Sequence, residues 1–101
     1  MLKTKIQVPM TKIEEFCHRW KIKEFSLFGS VLREDFSPKS DIDVMVSFAD
    51  SARRDLSDLV DMIEELKVIF GRNVDLVEKG TIKNPFRRHS IMKNNEVLYA
   101  A

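Results

Sequence analysis

One stretch limits the fold more than any other: Leu27 to Phe48, LFGSVLREDFSPKSDIDVMVSF. Its second half alternates, with Ile42, Val44, Val46 and Phe48 on one face and Asp43, Met45 and Ser47 on the other. That is the period of a strand with one buried side. Asp41 and Asp43 stand two apart and so share the face opposite the apolar row, with Cα atoms about 6.5 Å apart. Two carboxylates on one face repel, by up to ~4 kcal/mol when their charges come within about 4 Å at an effective dielectric of about 20. A divalent cation between them relieves this, and hard oxygen ligands suit Mg²⁺, which keeps several waters and shares its coordination with phosphates.

The first half of the stretch has the makings of a phosphate seat. Lys23 to Phe28 reads as a short strand, and Gly29 breaks it where the backbone must turn sharply or approach a ligand. Ser30 can cap a short helical turn, Val31-Leu32-Arg33, leaving N–H groups and a hydroxyl for an anion, with Arg33 adding a positive charge. After a loop over Asp35 to Ser40, turning at Ser37-Pro38, Ser40 is placed to bond either a phosphate or its own turn. Gly-Ser pairs and Asp-x-Asp pairs are each common. It is their order and spacing that carries weight.

The remaining elements follow from period and punctuation. A helix is expected over Pro9 to Trp20, with a Thr11–Glu14 capping box and a buried stripe of Ile13, Phe16, Cys17 and Trp20. Cys17 reads as core and His18 as solvent-facing. A longer helix is expected from Asp55 to Phe70, its apolar line Leu56, Leu59, Val60, Ile63, Leu66 and Phe70, stopped by Gly71. Its acidic residues read as a solvated face. Ala49 to Arg54 reads as a polar connection. A third strand, Asn73 to Glu78, is expected to be central and carries Asp75, which is either a ligand or a carboxylate facing water. Asn84-Pro85 starts a helix to Lys93, followed by an Asn94-Asn95 turn and a strand, Glu96 to Tyr99. Arg87, Arg88 and His89 on that helix can steady a nucleotide or acceptor, or form a solvated face. The order predicts an α/β (α+β) fold, a small mixed β-sheet with helices packed on it.

Composition narrows the function. At 101 residues the chain is expected to be one domain over 1–101, with 1–8 a loose lead-in. Seventeen Lys and Arg against sixteen Asp and Glu leave a net +1, which gives no bulk electrostatic case for nucleic acid. A lone cysteine allows no internal disulfide, no apolar run approaches the length of a membrane span, and no signal-peptide core opens the chain. A cytoplasmic protein without a membrane partner is expected.

The arrangement Gly29-Ser30, ten residues, Asp41-x-Asp43 resembles the signature of the DNA polymerase beta-type nucleotidyltransferase superfamily. The short chain is similar in particular to its minimal nucleotidyltransferases, the MNT group. Gly29, Ser30, Arg33, Ser40, Asp41 and Asp43 stand where that pattern expects them, and Asp75 matches the superfamily's third carboxylate. The resemblance spans about Phe16 to Val77. It implies the nucleotidyltransferase fold and two Mg²⁺ ions held by Asp41, Asp43 and Asp75, the catalytic carboxylates. It also implies ATP as substrate, with Gly29, Ser30, Arg33 and Ser40 on its phosphates. Asp75 is implied to help deprotonate the attacking hydroxyl, with direct in-line transfer. Larger relatives carry a further helical domain that binds the acceptor. None is expected within this chain, so the acceptor is expected on another chain or an open surface. The resemblance thus implies an antitoxin that transfers AMP to a tyrosine of a HEPN ribonuclease toxin. Two other readings stay open: an enzyme for a small hydroxyl acceptor with a separate substrate-binding protein, and a non-catalytic toxin-binding module.

Overall fold

The computed structural model describes residues 8–32, 40–49 and 55–100, with the backbone alone at Ser30 and Val31. Arg33, most of the 35–40 loop, most of the 49–54 connection and the lead-in before Val8 lie outside the described residues.

Helix α1, Met10–Arg19, forms on the expected stripe, with Ile13, Phe16 and Cys17 buried. The Thr11–Glu14 capping box is not made: Pro9 is the cap residue and no side chain caps the helix. Starting at Met10 puts Thr11 inside the first turn, and Pro9's carbonyl accepts from the Ile13 N–H at 3.1 Å. Phe16 meets Phe25 of strand β1 (Ile22–Phe28) edge-on, with centroids 6.1 Å apart, a pairing that adds about 0.5–1.5 kcal/mol to area burial. Trp20 Nε1 donates to Glu65 Oε2 at 3.0 Å, and Arg19 pairs with the same carboxylate. These contacts tie α1 to helix α2, Leu56–Phe70.

Helix α2 is punctuated as its sequence suggests. Asp55 and Asp58 form a reciprocal capping box, and Gly71 closes the helix in the left-handed region at φ 70°. Its buried line differs from the expected one. Met62 and Leu66 are buried, with Leu59, Ile69 and Phe70 packed beside them, whereas Leu56 is 77% and Val60 49% exposed. Leu56 opens the first turn at the margin of the packed face, and Val60 lies round the helix from Leu66. Both satisfy helical spacing yet miss the sheet.

Strands β2 (Ile42–Phe48), β3 (Val74–Glu78) and β4 (Asn95–Ala100) complete a mixed sheet in the order β3-β2-β1-β4. β1 runs antiparallel to both β2 and β4, and β2 runs parallel to β3. β3 is therefore an edge strand, not a central one. α2 carries the chain back from β2 to lie parallel beside it, while β1 occupies β2's other side and β4 pairs beyond β1. Ile42, Val44 and Val46 face α1 and α2, as the alternation requires. Met45 points the other way but is still buried, because Ile91 of helix α3 (Pro85–Lys93) covers it together with Phe28. Asn84 caps α3 as expected, its Oδ1 accepting from the Phe86 and Arg87 N–H groups at 2.9 and 3.2 Å. The result is an α+β fold, with three helices on a four-stranded mixed sheet among the described residues.

Candidate active site

This topology brings three strand ends to one edge of the sheet. β1 ends where β2 begins, because the two are antiparallel, and β3 begins at the same level, because it is parallel to β2. Phe28 lies opposite Asp43, and Asp43 lies opposite Asp75. Neighbouring strands stand about 4.8 Å apart, so Asp43 and Asp75 sit side by side on the face that also carries Met45. The Ile42 N–H donates to the Asn73 carbonyl at 2.9 Å and fixes this alignment at its start. Asp43 is half-buried, while Asp75 and Asp41, which directly precedes β2, are exposed.

Gly29 answers to this pair. Its φ of +75° favours glycine, and a Cβ there would fall on Asp43's carboxylate oxygen, 3.1 Å from Cγ. The missing side chain is what lets Asp43 lie against the turn. Gly29–Leu32 forms a short 3-10 turn, so the chain enters this turn directly from the contact between Gly29 and Asp43. Ser40 is half-buried, and its carbonyl accepts from Arg72 Nη1 at 3.4 Å. Of the expected residues, Gly29, Ser30, Ser40, Asp41, Asp43 and Asp75 thus come to one edge. Arg33 lies outside the described residues.

Among the described residues, no group of three or more His, Cys, Asp and Glu stands placed to hold a metal ion. The assembled unit is the Asp43–Asp75 pair. Its chemistry still fits Mg²⁺, which takes one or two carboxylates and completes its coordination with water and substrate phosphates. Adjacent carboxylates on parallel strands, one of them half-buried, are a donor set that a divalent cation suits.

Arg72 is the residue that sequence reasoning passed over. Ile42 pairs with Val74 and Asp43 with Asp75. The same offset carried back two residues sets Arg72 beside Ser40, where the hydrogen bond is found. Only the strand register reveals this. Other candidates fall away. Cys17 is fully buried, and burial first and the Glu14 charge second push its thiol up to about 12, so it stays neutral and is no nucleophile. His18 is exposed and stacks edge-on with Tyr99. Arg87, Arg88 and His89 are exposed on α3.

The sequence matches the profile of the nucleotidyltransferase domain over residues 10–98, and the chain belongs to that family of transferase enzymes. A Methanocaldococcus jannaschii protein provisionally named protein adenylyltransferase MJ1379 is 40% identical over 73 residues, 72% of this chain and 73% of the relative. Protein adenylyltransferase MntA of Thermococcus cleftensis is 31% identical over 86 residues, 85% of this chain and 82% of the relative. A crystal structure of a toxin–antitoxin with AMP-PNP superposes with a TM-score of 0.74 at 22% identity, covering 93% of this chain and 75% of that one. A tri-AMPylated Shewanella oneidensis HEPN toxin in complex with MNT antitoxin gives 0.65 at 22% identity, covering 91% and 70%. At that identity the two structures speak for the fold.

Proposed function

We propose that this chain is a Mg²⁺-dependent protein adenylyltransferase that moves AMP from ATP onto a tyrosine hydroxyl of a HEPN ribonuclease partner, and so acts as its antitoxin in the cytoplasm. The observation that carries the reading is the register pairing of Asp43 with Asp75 beside the Gly29 turn. The names of its relatives supply the group transferred, and the solved complexes supply the kind of partner.

Asp43 and Asp75, with Asp41 beside them, are the residues to hold the metal ions. Mg²⁺ held there would supply positive charge to offset that of the phosphates during transfer. The backbone of the Gly29–Leu32 turn, with the Ser30 hydroxyl, Arg33 and Ser40, holds the β- and γ-phosphates. The tyrosine oxygen attacks the α-phosphorus in line. Its bond to phosphorus forms as the bond to the β-phosphate oxygen breaks, and pyrophosphate leaves. Exposed Asp75 accepts the tyrosine proton. No group of the chain forms a covalent intermediate.

Labelled ATP tests this. With label in the α-phosphate, transfer to the partner's tyrosine is expected to need Mg²⁺, to stop on chelation, and to fall at least about a hundredfold in Asp43→Asn. Circular dichroism should show that variant folded. Transfer that survives chelation or Asp43→Asn removes the metal assignment.

A further inference from the structure

Beside the Gly29 turn opens a cleft of about 390 Å³ that runs to the C-terminal end of α3. This volume falls within the roughly 300–1,000 Å³ of ligand pockets. Its apolar lining is Phe28, Leu32 and Ile91, and its polar lining is Ser90, Asn94 and Asn95. Phe28 is the strand neighbour of Asp43 and belongs to the Met45–Ile91 cluster. The cleft therefore lies on the same face as the carboxylates, next to the turn assigned to the phosphates. A nucleotide whose phosphates sit at Gly29 has this cleft within reach of its base.

The polar end of the cleft has a fixed sense. Asn95 lies opposite Phe28 at the start of β4. Its side-chain Nδ2 donates to the carbonyls of Ile91 and Met92 at 3.0 and 2.9 Å, the open end of α3. Carbonyls accept only from the amide nitrogen, so these two bonds set which way the amide is turned. The Oδ1 atom is left as an acceptor, and the amide cannot flip to become a donor without releasing both carbonyls. Asn94 is turned the same way, its Nδ2 donating to the Ser90 carbonyl at 3.2 Å. An amide oxygen held in this sense beside apolar walls suits a flat aromatic ring that presents an amine.

We propose that this cleft holds the nucleobase and that Asn95 Oδ1 accepts a hydrogen bond from the 6-amino group of adenine, making Asn95 the residue that selects ATP. This rests on the reading of the chain as a nucleotidyltransferase of ATP, and adds where the base sits and what reads it. Discrimination against a 6-oxo purine follows at Asn95, where that purine's carbonyl would meet Oδ1 acceptor to acceptor.

Calorimetric titration of the unaltered chain with ATP and with inosine triphosphate, both with Mg²⁺, tests this. ATP is expected to bind about five- to tenfold more tightly, the share of one hydrogen bond. In Asn95→Ala, ATP is expected to fall to the level of inosine triphosphate, whose own affinity changes by less than about twofold. A purely structural role for the Asn95 cap would weaken both nucleotides alike, and that result overturns the proposal. Equal affinities in the unaltered chain overturn it too, and that comparison needs no variant to fold. Failure of the unaltered chain to bind ATP at all is a different outcome. It would remove the reading of the chain as an ATP-dependent transferase, and this inference with it.

Discussion

Gly29 decides most at the scale of single residues, because two separate constraints meet there. A side chain at φ +75° is strained by about 1–2 kcal/mol in the left-handed region. Any Cβ must also displace Asp43's carboxylate from beside the turn. Gly29→Ala is therefore expected to destabilise the fold by about 1–2 kcal/mol and to cost transfer activity well beyond that loss. Chemical denaturation and labelled-ATP transfer on the same preparation check this. Full activity in a merely less stable variant would show that Asp43 need not lie where it does. The sequence made Gly29, Asp41, Asp43 and Asp75 legible as candidates, since each lies in or beside a short strand whose period and punctuation can be read locally. Arg72 and Asn95 were not legible. Arg72 reaches Ser40 only through the register of two parallel strands joined by a long helix, and Asn95 reads as a turn residue until α3 is seen to end against it.

Among the elements, α1 carries a local misfit. It ends at Trp20, and Lys21 turns the chain into β1 with φ 55°, among the described residues the sole non-glycine at positive φ. Its neighbours hold it there: its N–H donates to the His18 carbonyl at 3.4 Å and its carbonyl accepts from the Ala49 N–H at 2.7 Å. Lys21→Gly is expected to stabilise the protein by about 0.5–1 kcal/mol, a rise in Tm of a few degrees. A thermal melt checks it, and a lower Tm would mean that the lysine side chain contributes more than the strain removes. Element types were legible throughout, because period and caps announce them: Asp55 and Gly71 bound α2, and Asn84 starts α3. The phase of α2's buried line was not, since Leu56 and Val60 match the spacing but miss the sheet. The position of β3 at the edge was equally hidden. Alternation says which face a residue takes, and nothing about which strand lies next to which.

For the whole molecule, the carboxylate edge and the cleft beside it lie on one face of the sheet. Leu56 and Phe86 are 77% and 85% exposed, Val68 82%, apolar area that does not serve this chain's own core. Among the described residues, the helices that cover the sheet leave Asp41 and Asp75 exposed and Asp43 half-buried, the access that the proposed transfer to another protein needs. The central claim is that these carboxylates transfer AMP to that protein. The intact mass of the product of the adjacent gene tests it most directly, after co-expression with this chain and, separately, with its Asp41→Ala variant. The account predicts a gain of one or more AMP units with the unaltered chain and none with the variant. An unchanged mass in both, with the two proteins still bound together, would contradict it and leave a module that acts by binding alone.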